Sequence, residues 1–385
     1  MALVIAAGAI FALRPSNDEL YRFQLRSPIP GADNDFRSAL YQSLGARMTT
    51  GHTVTWLNNG QVFDAVEQSI RAAKTSIHML LYIWEEGTAS DRITAAVIGR
   101  AKQGVQCRIL VDAFGSSAFG KTIQPQLTAA GCEVRIFRPL AGGEKLSRNH
   151  RKLVIVDGTT AVTGGFGIRD NWLGDGVNSE GWRDANVLFS GPAVAEAQQA
   201  FAENWQEAGG ALLPKGAFPP PLANSGSAEA CFVASTNSTT VTRAERLTQL
   251  LIAVAKRRLW ISNAYVVPSP AILQMLKQKA AEGVDVRILA PGKKSDSKTS
   301  FGLQHTEYGS LLKHGVRIWE YQPSMLHSKT MLVDERIVVA GSINLEPFSL
   351  NKLEEGALVV SDESFAGQLA GAFETDCTHS RELIK

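Results

Sequence analysis

Two short stretches of the chain carry the same reactive pattern. His150, Lys152 and Asp157 stand in the order His-x-Lys-x4-Asp, and His327, Lys329 and Asp334 repeat it. Six residues after each aspartate comes a pair of small residues, Gly164-Gly165 in one copy and Gly341-Ser342 in the other. An imidazole beside an ammonium suits phosphate chemistry. The ammonium holds anionic oxygens, while the imidazole attacks phosphorus or moves a proton. The small residues let backbone approach a phosphate closely, which marks Gly165 and Ser342 as candidate phosphate contacts. One His-x-Lys at a strand start is ordinarily a packed histidine and a solvated lysine. Two copies at matching places of a repeat point to a composite site instead.

The elements that must position these groups can be read from the flanks. After the lysines come Leu153-Val-Ile-Val156 and Thr330-Met-Leu-Val333. Such apolar runs predict strands buried on both faces. Side chains two apart on a strand share a face, so each histidine and its lysine leave on the same side. The repeat extends further. Gly104-Val-Gln-Cys-Arg-Ile-Leu110 returns as Gly283-Val-Asp-Val-Arg-Ile-Leu289. Phe63, Val66, Ile70 and Ala73 in one half, and Leu247, Leu250, Leu251 and Val254 in the other, predict one apolar helix face each. Strands follow near 77–84 and 259–267, then helix and strand alternate. The expected fold is α/β: two pseudo-symmetric halves, each a mixed, largely parallel sheet flanked by helices, with one site between them.

A boundary is expected in the Pro-rich then Gly/Ser-rich stretch 216–229. Domains are thus expected at 52–215 and 230–385, after an N-terminal segment 1–51 whose part from 14 to 51 reads as polar and uninformative. The length of 385 residues fits two cores. A net charge of +2 gives no support for a broad nucleic-acid footprint and leaves room for a local basic pocket. Four scattered cysteines form no Cys-x-x-Cys pair, which argues against a zinc knuckle or redox pair. Residues 2–13 form an apolar run, shorter than the roughly 20 residues that span a bilayer and without a basic segment before it. It is read either as a shallow anchor or the remnant of one, or as a packed or disordered end.

The segments Asn149-His150-Arg151-Lys152-Leu-Val-Ile-Val-Asp157-Gly158, Gly181-Trp182-Arg183-Asp184, Gly191-Pro192-Ala193-Val194, Tyr321-Gln-Pro-Ser-Met-Leu-His327-Ser-Lys329 and the loop from Pro291 to Lys298 resemble the phospholipase D superfamily, specifically bacterial cardiolipin synthases. The resemblance covers about 52–375. It implies a two-step mechanism without metal or other cofactor. His150 would be the nucleophile and His327 the acid/base. Lys152 and Lys329, joined by Asn344, would bind the phosphoryl oxygens. Asp157 and Asp334 complete the catalytic motifs, ordering local hydrogen bonds rather than touching substrate. In the family an acid about 28 residues after the histidine fixes the imidazole; Glu355 matches in the second half, and Asp184 is the first-half candidate. The sequence departs from the family at Gly167, which stands where the second half has Asn344, at Phe348 and Leu353, and in the strand Met79-Leu-Leu-Tyr82, which lacks a glutamate.

The function implied is phosphatidyl transfer: two phosphatidylglycerols give cardiolipin and glycerol through a phosphohistidine. Hydrolysis, as by a phospholipase D or a nuclease, would use the same residues, but the near-neutral charge disfavours a nuclease. Complete motifs in both halves argue against a non-catalytic binding protein. The expected partners are phospholipids and a membrane surface, with no nucleic acid. One chain holds both motifs, so a monomer suffices for one site. The expected location is the bacterial cell membrane, peripheral or weakly held by the N-terminus. Tyr82, Trp84, Trp182 and Tyr265 are candidates to line a lipid channel or to pack in the core, and Lys293, Lys294 and Lys298 to meet headgroups or solvent. His52, His78, His305, His314 and His379 match no pattern and read as surface or packed residues.

Overall fold

The apolar spacings of the two repeats become helices that pack against strands, and the strands are laid down twice in one order. In the computed structural model, residues 24–25, 34–139, 147–177, 181–220, 225–238 and 240–384 are described, so the run 2–13 and its anchoring role lie outside the described residues. Helix α1 (Asn34–Leu44) leads into β1 (Thr49–Asn58). The first half continues through α2 (Gln61–Ala72), β2 (Ser76–Leu81), α3 (Thr88–Ala101), β3 (Gln106–Asp112), α4 (Phe119–Ala129), β4 (Glu133–Phe137), β5 (Leu153–Val156), β6 (Thr160–Gly164), β7 (Ala185–Ser190) and α5 (Ala193–Glu207). The second runs β8 (Ala228–Ser235), α6 (Arg243–Val254), β9 (Arg258–Asn263), α7 (Pro270–Ala281), β10 (Asp285–Pro291), α8 (Lys298–Lys313), β11 (Arg317–Tyr321), β12 (Lys329–Val333), β13 (Ile337–Gly341), α9 (Pro347–Lys352), β14 (Glu355–Ser361), α10 (Glu363–Thr378) and β15 (Ser380–Leu383).

All fifteen strands join one sheet, in the order β15-β11-β10-β9-β12-β13-β14-β8-β1-β7-β6-β5-β2-β3-β4. From the β8–β1 junction outwards the two halves match strand for strand. Among the described strands β15 alone has no counterpart. The sheet is mixed, as expected, but it is not largely parallel. Parallel pairing is confined to β2-β3-β4 and β9-β10-β11. The strands that follow each His-x-Lys turn back after three residues into β6 and β13, and so short a connection can only make an antiparallel pair.

Three apolar clusters hold the fold. One packs the first-half helices on β2 and β3. A second packs α6 and α7 on β9 and β10. The third lies between the halves, joining Leu153, Val187 and Phe189 to Trp260, Leu332 and Leu358. Segment 14–51 is more informative than its polarity suggested. Phe36, Leu40 and Leu44 recur every four residues, form one face of α1 and are buried in the second-half core. The signal was present but short, and polar neighbours diluted it.

Candidate active site

Each His-x-Lys sits at the start of a central strand, β5 or β12, where one half meets the other. The backbone crosses the junction symmetrically. His150 N–H donates to the Glu354 carbonyl at 2.8 Å, and His327 N–H donates to the Arg183 carbonyl at 2.6 Å. Isolated bridges pair Asn149 with Glu354 and Arg183 with Leu326. These bridges place the residue after each, Glu355 or Asp184, beside the histidine of the opposite half.

The acids are therefore exchanged. His150 Nδ1 lies 3.0 and 3.1 Å from the two oxygens of Glu355. His327 Nδ1 lies 3.4 Å from Asp184 Oδ2. Neither motif histidine takes its acid from its own half. A carboxylate on Nδ1 fixes the proton there and frees Nε2. The two supports differ. Glu355 also accepts the hydroxyls of Ser342 and Ser349. Asp184 accepts the Trp172 indole N–H at 2.7 Å and the Ala185 N–H at 2.8 Å.

Lys152 and Lys329 are buried and each donates to the carbonyl of its own histidine, Lys152 at 2.6 Å. An ammonium has three donors, so two on each lysine remain for anionic oxygens. Tyr82 lies edge-on to His150, with ring centroids 5.1 Å apart. Trp172 and Trp182 wall His327 at 5.2 and 5.1 Å. Tyr265 stands further off, at 6.5 Å.

Burial dominates the electrostatics. It pushes the His150 imidazole down to about 4, with Lys152 adding to the fall and Glu355 opposing it. It pushes His327 well below its ordinary value, helped by Lys329, Lys152 and His150. Lys152 falls well below the usual lysine range, and Lys329 falls to about 8 despite Asp184 and Asp296. Burial raises Asp184 to about 6. Glu355 moves the other way: burial would raise it, but His150, Lys152 and Ser342 together hold it below its usual value. The chamber thus keeps neutral imidazoles beside buried lysines whose ammonium form further negative charge would favour. A phosphodiester supplies that charge.

Several expected residues sit elsewhere. Asp157 and Asp334 are not in the chamber. They lie at the far ends of β5 and β12, about 16 Å along the chain from the lysines at a strand's rise. Asp157 Oδ1 accepts the N–H groups of Lys74, Thr75 and Ser76, and Asp334 Oδ1 those of Lys256, Arg257 and Arg258. Both aspartates adopt positive φ, 54° and 50°. They pin the starts of β2 and β9, which is the ordering role, without contact to the reacting groups. Gly165 and Ser342 stand beside the supporting acids. A Cβ at Gly165 would overlap the Asp184 carboxylate. Ser342, at the matching position, turns its hydroxyl to Glu355. The small pair makes room for the acids. Asn344 is buried, its backbone N–H bonded to Ser349 Oγ and its side-chain oxygen unpartnered.

Trp84 is core: it is fully buried and bonded to Ser90. Tyr82, Trp182 and Tyr265 are half-buried around the histidines. Lys293, Lys294 and Lys298 are exposed. His52 and His78 are packed, bonded to Ala193 N–H and Gln198 respectively. Sequence reasoning missed Trp172 and Ser349, because nothing in their local pattern marks a partner brought by tertiary contact. Among the described residues no cluster of three metal-ligating side chains occurs.

Comparison with known proteins agrees with this geometry. A family described as cardiolipin synthase, phospholipase D-like domain, matches residues 66–205 and 249–377. The chain belongs to the cardiolipin synthase-like family of the phospholipase D superfamily. It is a phosphatidyltransferase of that superfamily. It is 30% identical to cardiolipin synthase 1 of Bacillus anthracis, over 94% of this chain and 74% of that one. It is also 30% identical to cardiolipin synthase A of Pseudomonas aeruginosa, over 97% and 79%. Among solved structures, phosphatidylserine synthase of Haemophilus influenzae superposes with a TM-score of 0.70, covering 90% of this chain and 92% of that one. At 14% identity that likeness shows the shared fold alone.

Proposed function

We propose that the chain makes cardiolipin from two phosphatidylglycerols. His150 Nε2 attacks the donor phosphorus. The anionic phosphodiester offsets the lysines that disfavour charge on His327, so His327 enters this step protonated; as the bond from phosphorus to the glycerol oxygen breaks, it gives that oxygen its Nε2 proton, and glycerol leaves. A phosphatidyl-histidine remains. The terminal hydroxyl of a second phosphatidylglycerol then passes its proton to His327 and attacks phosphorus. The phosphorus–nitrogen bond breaks and His150 is restored. Splitting one displacement into two is the purpose of such covalent catalysis. Lys152 and Lys329, with the Asn344 amide, hold the non-bridging oxygens as charge develops on them.

One observation carries this reading: the exchanged histidine–acid pairs with a lysine beside each. The tighter support favours His150 as nucleophile. A carboxylate accepting Nδ1–H with both oxygens stabilises the positive imidazole of the intermediate. Both lipids reside in a bilayer, so the chain works at a membrane surface, and a single chain contains all the groups invoked.

The test is incubation with phosphatidylglycerol vesicles and mass spectrometry of the lipids. Wild-type protein is expected to form cardiolipin and free glycerol, and His150→Ala to form neither. Phosphatidic acid in place of cardiolipin would make the enzyme a hydrolase. Equal lipid profiles for wild type and His150→Ala would sink the reading.

A further inference from the structure

The two halves of the chamber are unlike at one corresponding place. A tyrosine stands against each histidine and its lysine, Tyr82 in the first half and Tyr265 in the second, but of the two only Tyr265 is bonded to a carboxylate. Tyr265 offers a hydroxyl that donates to both oxygens of Asp296, at 2.9 and 3.0 Å. Its ring lies 6.0 Å from Lys329 Nζ and 6.5 Å from the His327 ring. Asp296 and Lys329 are close enough for each charge to act on the other.

Asp296 is also unlike the other acids nearby. In the first half, Asp112 is sealed by a buried ion pair with Arg148 and by the N–H groups of Phe114 and Asn149. Glu355 and Asp184 are spent on the histidines. Among the described residues Asp296 has no ion-pair partner in contact, and it is half-buried rather than sealed. A carboxylate has about four acceptor sites, and one phenol leaves most of them open. An acid is a poor neighbour for phosphate oxygens but a good one for hydroxyl groups.

We propose that Asp296 and the Tyr265 hydroxyl form a polyol subsite beside His327. It receives the hydroxyl next to the reacting oxygen of the glycerol headgroup. This rests on the transfer reading and deepens it. By microscopic reversibility, leaving and entering alcohols occupy one place on the acid/base side. Both the departing glycerol and the attacking headgroup carry a secondary hydroxyl adjacent to the reacting oxygen. One acceptor carboxylate serves both steps. Its consequence is selectivity for 1,2-diols over simple alcohols and water.

The experiment is a competition. Phosphatidylglycerol vesicles are incubated with wild-type protein and equal concentrations of 1,2-propanediol and 1-propanol, and the two phosphatidyl alcohols are quantified by mass spectrometry. Wild type is expected to prefer the diol by about tenfold or more, the worth of one hydrogen bond to a charged group. Asp296→Asn and Tyr265→Phe are each expected to reduce that ratio several-fold, whatever they do to total turnover. The phenylalanine variant removes one hydroxyl and keeps the ring, so it covers the case in which Asp296→Asn fails to fold. A wild-type ratio near one overturns the subsite. So does an unchanged ratio in a variant with lower total rate, which would make Asp296 an electrostatic support of Lys329. A wild type that transfers to no alcohol overturns the transfer reading itself and the subsite with it.

Discussion

Replacing Glu355 with Gln keeps the shape of the side chain and removes its charge. The structure sets the size of the effect. Glu355 is fully buried and accepts the His150 Nδ1–H with two oxygens, 3.0 and 3.1 Å away. A hydrogen bond to a charged group contributes about 1.5–3 kcal/mol. At about 1.4 kcal/mol per tenfold, losing it slows the formation of the positive imidazole by roughly 10- to 150-fold. The Gln amide can also turn its NH2 toward Nδ1. That moves the imidazole proton to Nε2 and removes the nucleophile, so the fall in kcat reaches about 10³-fold or more. Glycerol release from phosphatidylglycerol measures the rate. Histidine-selective 15N NMR supplies the decisive readout. Removing the carboxylate takes away a group that raises His150, so Glu355→Gln lowers the imidazole pKa further below 4. Asp184→Asn leaves the His150 signals in place, because Asp184 serves His327. If Asp184→Asn shifts His150 and Glu355→Gln shifts His327, the exchange of acids across the halves is wrong.

Other outcomes follow from the same contacts. Lys329 is charged below about pH 8 and neutral above it, so kcat/KM for an anionic lipid falls on the alkaline side no later than about pH 8; a profile flat to pH 10 would refute this. Asp157→Ala removes the acceptor of three backbone N–H groups and costs about 2 kcal/mol, read as a lower Tm, while kcat per folded molecule stays near wild type. Gly165→Ala puts a methyl group against Asp184, so activity drops more than tenfold with near-native circular dichroism. A normal rate in that variant would mean Asp184 does not need its present position.

What was legible in the sequence was local or repeated. The spacing of two along a strand placed His150 with Lys152 and His327 with Lys329 on shared faces, because a β-strand repeats every two residues. The strand order of each half was readable only as alternation, and its direction was misjudged. Apolar runs indicate burial, yet β5 and β12 are buried inside hairpins rather than between crossovers. Glu355 and Asp184 were legible as the histidines' acidic partners, but not which histidine each one serves. Their assignment to opposite histidines depends on the docking of two distant segments, 205 and 143 residues from their histidines. The asymmetry between Gly165 and Ser342 was visible in the sequence. Its reason, space for Asp184 in one half and a hydroxyl for Glu355 in the other, appears only when both acids are placed.

The exchange of acids also governs when the protein can act during its own synthesis. The proposed nucleophile, His150, emerges early, with Lys152 beside it, but the carboxylate on its Nδ1 belongs to β14 and follows 205 residues later. A nascent first half could fold its strands and expose a histidine and a lysine to lipid without the group that readies them. On the proposed mechanism that group arrives only when β14 has paired with β8, so a ribosome-bound first half is expected to be inactive.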